Sequence, residues 1–192
     1  MPAMKQTTPV DPADAGAGDS TPVLITPASR LSLGTEMAAN AVAAPAEASW
    51  PAANRAIYVP FELEESVTVL KLFIFNGFTV SGNVDLGIYN SVFTRLVSSG
   101  SIAQTGVSSL QEFDIADTVI GPGQFYLALA VDNIDAILFR WLGTGAVAVE
   151  LLKSWGLAQE ASAFPLPATA TPVSVSSDYI PYVGLSLRSL VA

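Results

Sequence analysis

The chain contains no cysteine and no histidine. Without cysteine there is no disulfide, no thiolate nucleophile and no thiolate-bound zinc or iron–sulfur cluster. Without histidine there is no Ser-His-Asp triad, no His-Glu-x-x-His zinc site and no ordinary general base near neutral pH. Hydrolysis would have to run on carboxylates, Lys or Tyr. Charge is scarce too: 13% of residues are Asp, Glu, Lys or Arg, about half the usual share. Only eight are Lys or Arg, against 17 Asp and Glu, for a net charge of −9. The cations are scattered with no basic cluster, so no nucleic-acid partner is expected.

Long hydrophobic runs are also missing. The longest uncharged stretch, residues 161–177, is broken by three prolines and many Ser and Thr. The strongest apolar runs, 72–75 and 125–131, are strand-sized and far short of a bilayer span. Residues 1–6 lead into polar sequence and not into an apolar signal core. Synthesis in a cytoplasm, no secretory signal and no membrane partner are therefore expected.

What the chain has in excess is apolar surface. Hydrophobic residues make up 51% of its 192 residues, and mean hydropathy is +0.47. This length suits one domain plus an arm, or two small domains. The apolar surplus points to burial against other protein.

Residues 1–53 are rich in Ala, Pro, Thr and Gly, with no aromatic residue before Trp50. They read as an extended N-terminal arm, and residues 54–192 as a folded domain. Within the arm, residues 37–48 are Ala-rich and are expected to form at most one short helix, although no clear apolar stripe supports it. Two short apolar clips, Val23-Leu24-Ile25 and Leu31-Ser32-Leu33, break the polar pattern. Val23, Leu24, Ile25, Leu31 and Leu33 are the candidate assembly residues. A strand clip can add to a neighbour's exposed sheet edge, gaining main-chain hydrogen bonds and covering an edge that invites aggregation.

From residue 55 the pattern is that of strands. Residues 67–75 form a β-branched and aromatic run, apolar on both faces except Thr68 and Lys71, which predicts a central strand. Val84, Leu86 and Ile88 alternate. Gly121-Pro122-Gly123 is the strongest turn signal and leads into the apolar run 125–131. Residues 136–141 are expected to return as its hairpin partner. Val147, Leu151, Leu152 and Trp155 share a helical face and Gly156 suits a cap, predicting a short helix near 146–156. Residues 163–181 read as an extended loop, and Val183, Leu185 and Leu187 as a closing strand. Strands at intervals of about 8–12 residues predict an all-β, antiparallel β-sandwich of about eight strands, jelly-roll-like. Its expected core is Leu70, Leu72, Ile74, Leu86, Ile88, Phe125, Leu127 and Leu129.

Three features carry some chemical signal. Glu112 and Asp114 stand two apart on a strand and share a face, as a carboxylate pair for glycan cleavage would; a solvated face looks the same. Asp132-Asn133-Ile134-Asp135 offers three side-chain oxygen ligands for calcium but lacks the other EF-hand positions, and turn chemistry explains it equally. Tyr58, Tyr89, Tyr126, Trp141, Trp155, Tyr179 and Tyr182 could line a sugar-binding face, although Tyr126 and Trp155 sit in core patterns. No catalytic residue, cofactor or metal site is assigned, and no enzymatic activity is expected.

The runs Asp85-Leu86-Gly87-Ile88-Tyr89, residues 95–101 and residues 117–129 resemble β-sandwich structural proteins of tailed bacteriophages. The similarity covers roughly residues 55–141, with 180–188 as a closing strand. The resemblance implies a virion protein, most simply a capsid decoration protein that stabilises the particle through contacts with other virion proteins such as the major capsid protein. It also implies a homo-oligomer, by analogy a trimer. The alternative it implies is a receptor- or glycan-binding module of a tail or fibre, which needs exposed aromatics at the tip of the sandwich.

Overall fold

The computed structural model describes residues 22–23, 42–143, 150 and 153–189. Eight strands there have seven or more residues: β2 (Val42–Ser49), β3 (Arg55–Leu63), β4 (Val67–Phe75), β5 (Asn83–Asn90), β8 (Leu110–Ile120), β9 (Gly123–Val131), β10 (Ile137–Gly143) and β14 (Val183–Ser189). Six shorter ones complete the set: β1 (Pro22–Val23), β6 (Arg95–Ser98), β7 (Ile102–Ala103), β11 (Ala158–Glu160), β12 (Val173–Ser174) and β13 (Ile180–Pro181). The protein is an all-β, antiparallel sandwich, as the strand spacing predicts.

Its winding follows from the pairing register. β3 pairs with β9 along its whole length, from Arg55 opposite Val131 to Leu63 opposite Gly123. β4 pairs with β8, and β5 with β6 and β7. All these pairings are antiparallel, so residues 55–131 form one long hairpin. β3, β5 and β9 belong to one sheet, ordered β12-β11-β3-β9-β5-β6. β4 and β8 belong to another, ordered β1-β14-β4-β8. The hairpin therefore folds across from sheet to sheet twice, and β9 closes it by also pairing with β5. A hairpin wound in this way is jelly-roll-like. Residues 121–122 turn the chain from one sheet to the other. β10 does not return beside β9, because both edges of β9 are already taken; it pairs instead with β2 and β13 in a third, small sheet.

The main core lies between the sheets. Ile57, Val59 and Phe61 of β3, Leu86 and Ile88 of β5, and Leu127 and Leu129 of β9 meet Val69, Leu72 and Ile74 of β4 and Val183 and Leu185 of β14. Leu70 is the exception among the expected core residues. β4 carries a bulge there: Val69 pairs with Leu187 and Lys71 with Ser186, leaving Leu70 without an opposite on β14. The extra residue flips the side-chain alternation, so Val69 and Leu72 are fully buried and Leu70 is only half-buried. On the outer face of the same sheet, the Phe73 ring lies over Gly184. A Cβ on Gly184 would stand 2.1 Å from Phe73 Cζ, so only glycine fits beneath the ring.

Residues 42–49 are a strand and not the short helix expected within 37–48. Pro45 disfavours a helix interior, whereas six positions of β2 pair with β10. β2 is an edge strand, where proline removes no ladder bond on its outer side. The sheet thus begins within the span read as an arm. Just beyond it Trp50 is buried edge-on against Tyr179, with ring centroids 5.2 Å apart. Of the expected helix near 146–156, Glu150, Lys153 and Ser154 are helical. Gly156, at φ +106°, ends the turn, and its N–H bonds Lys153 O. Val147, Leu151 and Leu152 lie outside the described residues.

A second apolar layer covers the outer face of the β3-β9-β5 sheet. Ala56, Tyr58, Tyr89, Tyr126, Ala128 and Ala130 are buried there beneath Ala163, Leu166 and Ala170. Residues 160–171, which run from the end of β11 into the stretch read as a loop, act as a strap. Its fastenings are polar. The Tyr58 hydroxyl donates to Glu160 Oε2 at 2.9 Å, and the Tyr89 hydroxyl to Pro167 O at 2.5 Å. The guanidinium of Arg95 donates to Leu166 O. Asp85, fully buried in β5, accepts from Leu166 N–H at 2.9 Å and from the Ser98 hydroxyl at 2.7 Å. Two doubly covered strands in the sheet, β3 and β9, explain the near-continuous apolar runs of the sequence.

Candidate interaction surface

Each feature with chemical signal has a definite place. Glu112 and Asp114 do share the exposed outer face of β8. Lys71 Nζ stands 3.3 Å from Glu112 Oε2, and about two-fifths of each side chain is exposed (43% and 43%). This is a solvated ion pair on an open face. Among the described residues no three Asp or Glu gather to hold a metal ion.

In the Asp132–Asp135 loop, Asp132 and Asn133 spend their side-chain oxygens on backbone and neighbours, and Asp135 is exposed. Asn133 Oδ1 accepts from the N–H groups of Asp135 and Ala136, an Asx turn. Asp132 accepts from Asn83 Nδ2 at 3.0 Å and Asn133 Nδ2 at 2.6 Å. Partial burial works to raise the Asp132 carboxyl, but the hydrogen bonds from Asn83 and Asn133 outweigh it and hold the group below its ordinary value.

Four of the seven aromatic residues that could line a sugar-binding face are turned into the fold. Tyr58, Tyr89, Tyr126 and Tyr179 are buried. Phe93 stacks on Tyr126 with centroids 4.3 Å apart, and Tyr58 and Tyr89 meet edge to face at 5.2 Å. Burial raises the hydroxyls of Tyr58, Tyr89 and Tyr179 well above the ordinary phenol value. Trp155 and Tyr182 are half-buried, and the Trp141 side chain lies outside the described residues.

Of the arm candidates, Val23 lies in β1, opposite Leu185 of β14, with Pro22 opposite Ser186. The strand order places β1 on the β14 edge of its sheet. Leu24, Ile25, Leu31 and Leu33 lie outside the described residues.

One end of the sandwich is not singled out by the strand-and-turn pattern of the sequence. Three connections meet there: residues 76–82, 104–109 and 132–136. Buried side-chain amides tie them together. Asn76 Nδ2 donates to Thr105 O at 2.6 Å and to Gln111 Oε1 at 3.0 Å. Gln104 Nε2 donates to Asn76 Oδ1 at 2.9 Å, and Gln104 Oε1 accepts from Ser81 N–H at 2.7 Å. Backbone bonds add to the knit: Gly77 N to Ile137 O, Ser108 N to Gly77 O and Ile137 N to Thr79 O. Asn133 Nδ2 reaches Ser81 O at 2.9 Å. Satisfied polar networks of this kind rigidify what they join.

Each of these three rigid loops carries one apolar side chain in solvent. Phe78 is 60% exposed, Val107 57% and Ile134 55%. The signal in the sequence is an apolar residue set among turn formers: Asn76-Gly77-Phe78, Gly106-Val107-Ser108 and Asn133-Ile134-Asp135. Chemically the end offers an apolar contact on a fixed frame, with the carboxylates of Asp132 and Asp135 beside it. No protein-family model, no curated protein and no solved structure matches this chain.

Proposed function

We propose that this chain is a structural, non-enzymatic subunit of a tailed-phage virion: a capsid decoration protein that stabilises the particle through contacts with other virion proteins and acts as a homo-oligomer, a trimer by analogy. The resemblance of residues 55–141 to phage β-sandwich proteins and the apolar surplus support this reading. The observation that carries it is β1, an arm strand laid antiparallel on the edge of β14. Eighteen residues, 24–41, separate β1 from β2. At about 3.3 Å each they can reach about 60 Å, far enough to lay the same strand on a neighbouring subunit. Exchange of an identical element between copies is a low-cost route to an oligomer.

The test is a chain that begins at residue 41, which keeps β2 and the folded domain. The full chain should form the oligomer and bind particles that lack it, and the shortened chain should lose both. Equal mass in solution and equal particle affinity for the two chains would make the arm a passive tail. The glycan-binding alternative is checked on a glycan array. It is the weaker reading, because four of the five tyrosines are buried.

A further inference from the structure

We infer that the loop end bearing Phe78, Val107 and Ile134 docks a different protein, one whose surface presents an apolar recess rimmed by Lys or Arg. This inference rests on the reading of the chain as an assembly subunit and names which face meets the partner and by what chemistry.

The first ground is the combination of exposure and rigidity. A floppy loop exposes apolar side chains at little consequence, since it can fold them away. These three cannot be folded away. Each tip projects from a loop held by the buried amides of Asn76 and Gln104 and by cross-loop backbone bonds. A preorganised apolar contact loses little conformational entropy on binding, which is the condition for a hot spot around an aromatic anchor.

The second ground is charge, and it selects the occupant. None of the eight Lys and Arg falls within residues 76–82, 104–109 or 132–136; the only charges there are Asp132 and Asp135. Asp132 is held in place by Asn83 and Asn133, and Asp135 is exposed beside Ile134. A second copy meeting this end face to face would bring four carboxylates together around an apolar contact with no cation to offset them. Repulsion and desolvation both oppose that arrangement. A cationic rim on the partner turns the same carboxylates into steering and specificity groups. The chain's net charge of −9 favours such a partner at long range.

The experiment measures binding of the full chain to virus particles assembled without it, together with its mass in solution. Phe78→Ser with Ile134→Ser should weaken particle binding about thirtyfold or more, the loss typical of a central aromatic anchor. The same variant should keep its thermal midpoint and its solution mass. Asp135→Asn should weaken binding less and flatten its dependence on salt. Val92→Ser with Val173→Ser, which changes exposed residues on other parts of the surface, should bind as the unaltered chain does. If the unaltered chain binds and the Phe78/Ile134 variant binds equally well, the docking face is wrong while the assembly reading stands. A fall in solution mass for that variant would make the face a contact between copies and overturn the inference. If the unaltered chain does not bind particles at all, the assembly reading fails and takes this inference with it.

Discussion

Asp85→Ala removes one of the polar fastenings between the strap and the sheet beneath it. The Asp85 carboxylate is fully buried and accepts two good hydrogen bonds, 2.7 Å from Ser98 and 2.9 Å from Leu166 N–H. A third, from Ser99 at 3.4 Å, is too long to count for much. Hydrogen bonds to a charged group contribute about 1.5–3 kcal/mol each, and a donor left buried without a partner is costly in itself. Two such bonds give a loss of about 4 kcal/mol, a large part of the roughly 5–15 kcal/mol that holds a domain together. For a chain of this size that corresponds to a fall in Tm of about 12 °C. Urea unfolding measures the free energy, and hydrogen exchange at the Leu166 amide reads the strap directly. A loss under about 1 kcal/mol, with Leu166 protection unchanged, would refute the strap as a fastened layer.

Three further outcomes are expected. Leu72→Ala should cost about 2–5 kcal/mol and Leu70→Ala under about 1 kcal/mol, because the bulge turns Leu70 out of the core; equal losses in urea unfolding would mean the bulge is misplaced. Gly184→Ala should cost about 1–3 kcal/mol, since its Cβ collides with the Phe73 ring, and Phe73→Leu in the same chain should return part of that loss. Tyr58, Tyr89 and Tyr179 have hydroxyls raised by burial. Their stabilisation is fully present below the unfolded pKa near 10 and is lost as pH rises toward the folded values, at about 1.4 kcal/mol per pH unit for each. Phenolate absorbance of these three should therefore appear together with alkaline unfolding; titration near pH 10 in the folded protein would contradict their burial.

Much of this fold is legible in the residues. Alternation at Val84, Leu86 and Ile88, the apolar run of β9 and the turn at 121–123 give strands, core and class, because each is a local pattern with a fixed period. What is not legible depends on pairing at a distance. The bulge at Leu70 exists only against the register of β14. Residues 42–49 have weak local preference, and β10 makes them a strand. β10 itself is displaced from β9 because β3 and β5 occupy both edges. The prolines at 165 and 167 mark irregular chain, but nothing local tells that this chain covers Tyr58, Tyr89 and Tyr126. The candidate surface is half legible: apolar residues among turn formers are visible in sequence, and the meeting of their loops at one end is a product of the winding.

The central proposal, that this chain is a subunit of a virion, is tested most directly by quantitative mass spectrometry of virus particles purified from cultures that express it. The chain is expected in the particle at a fixed high copy number, in proportion to the major capsid protein. Absence from the particle would contradict the proposal, and a handful of copies would move the protein from the capsid to the tail.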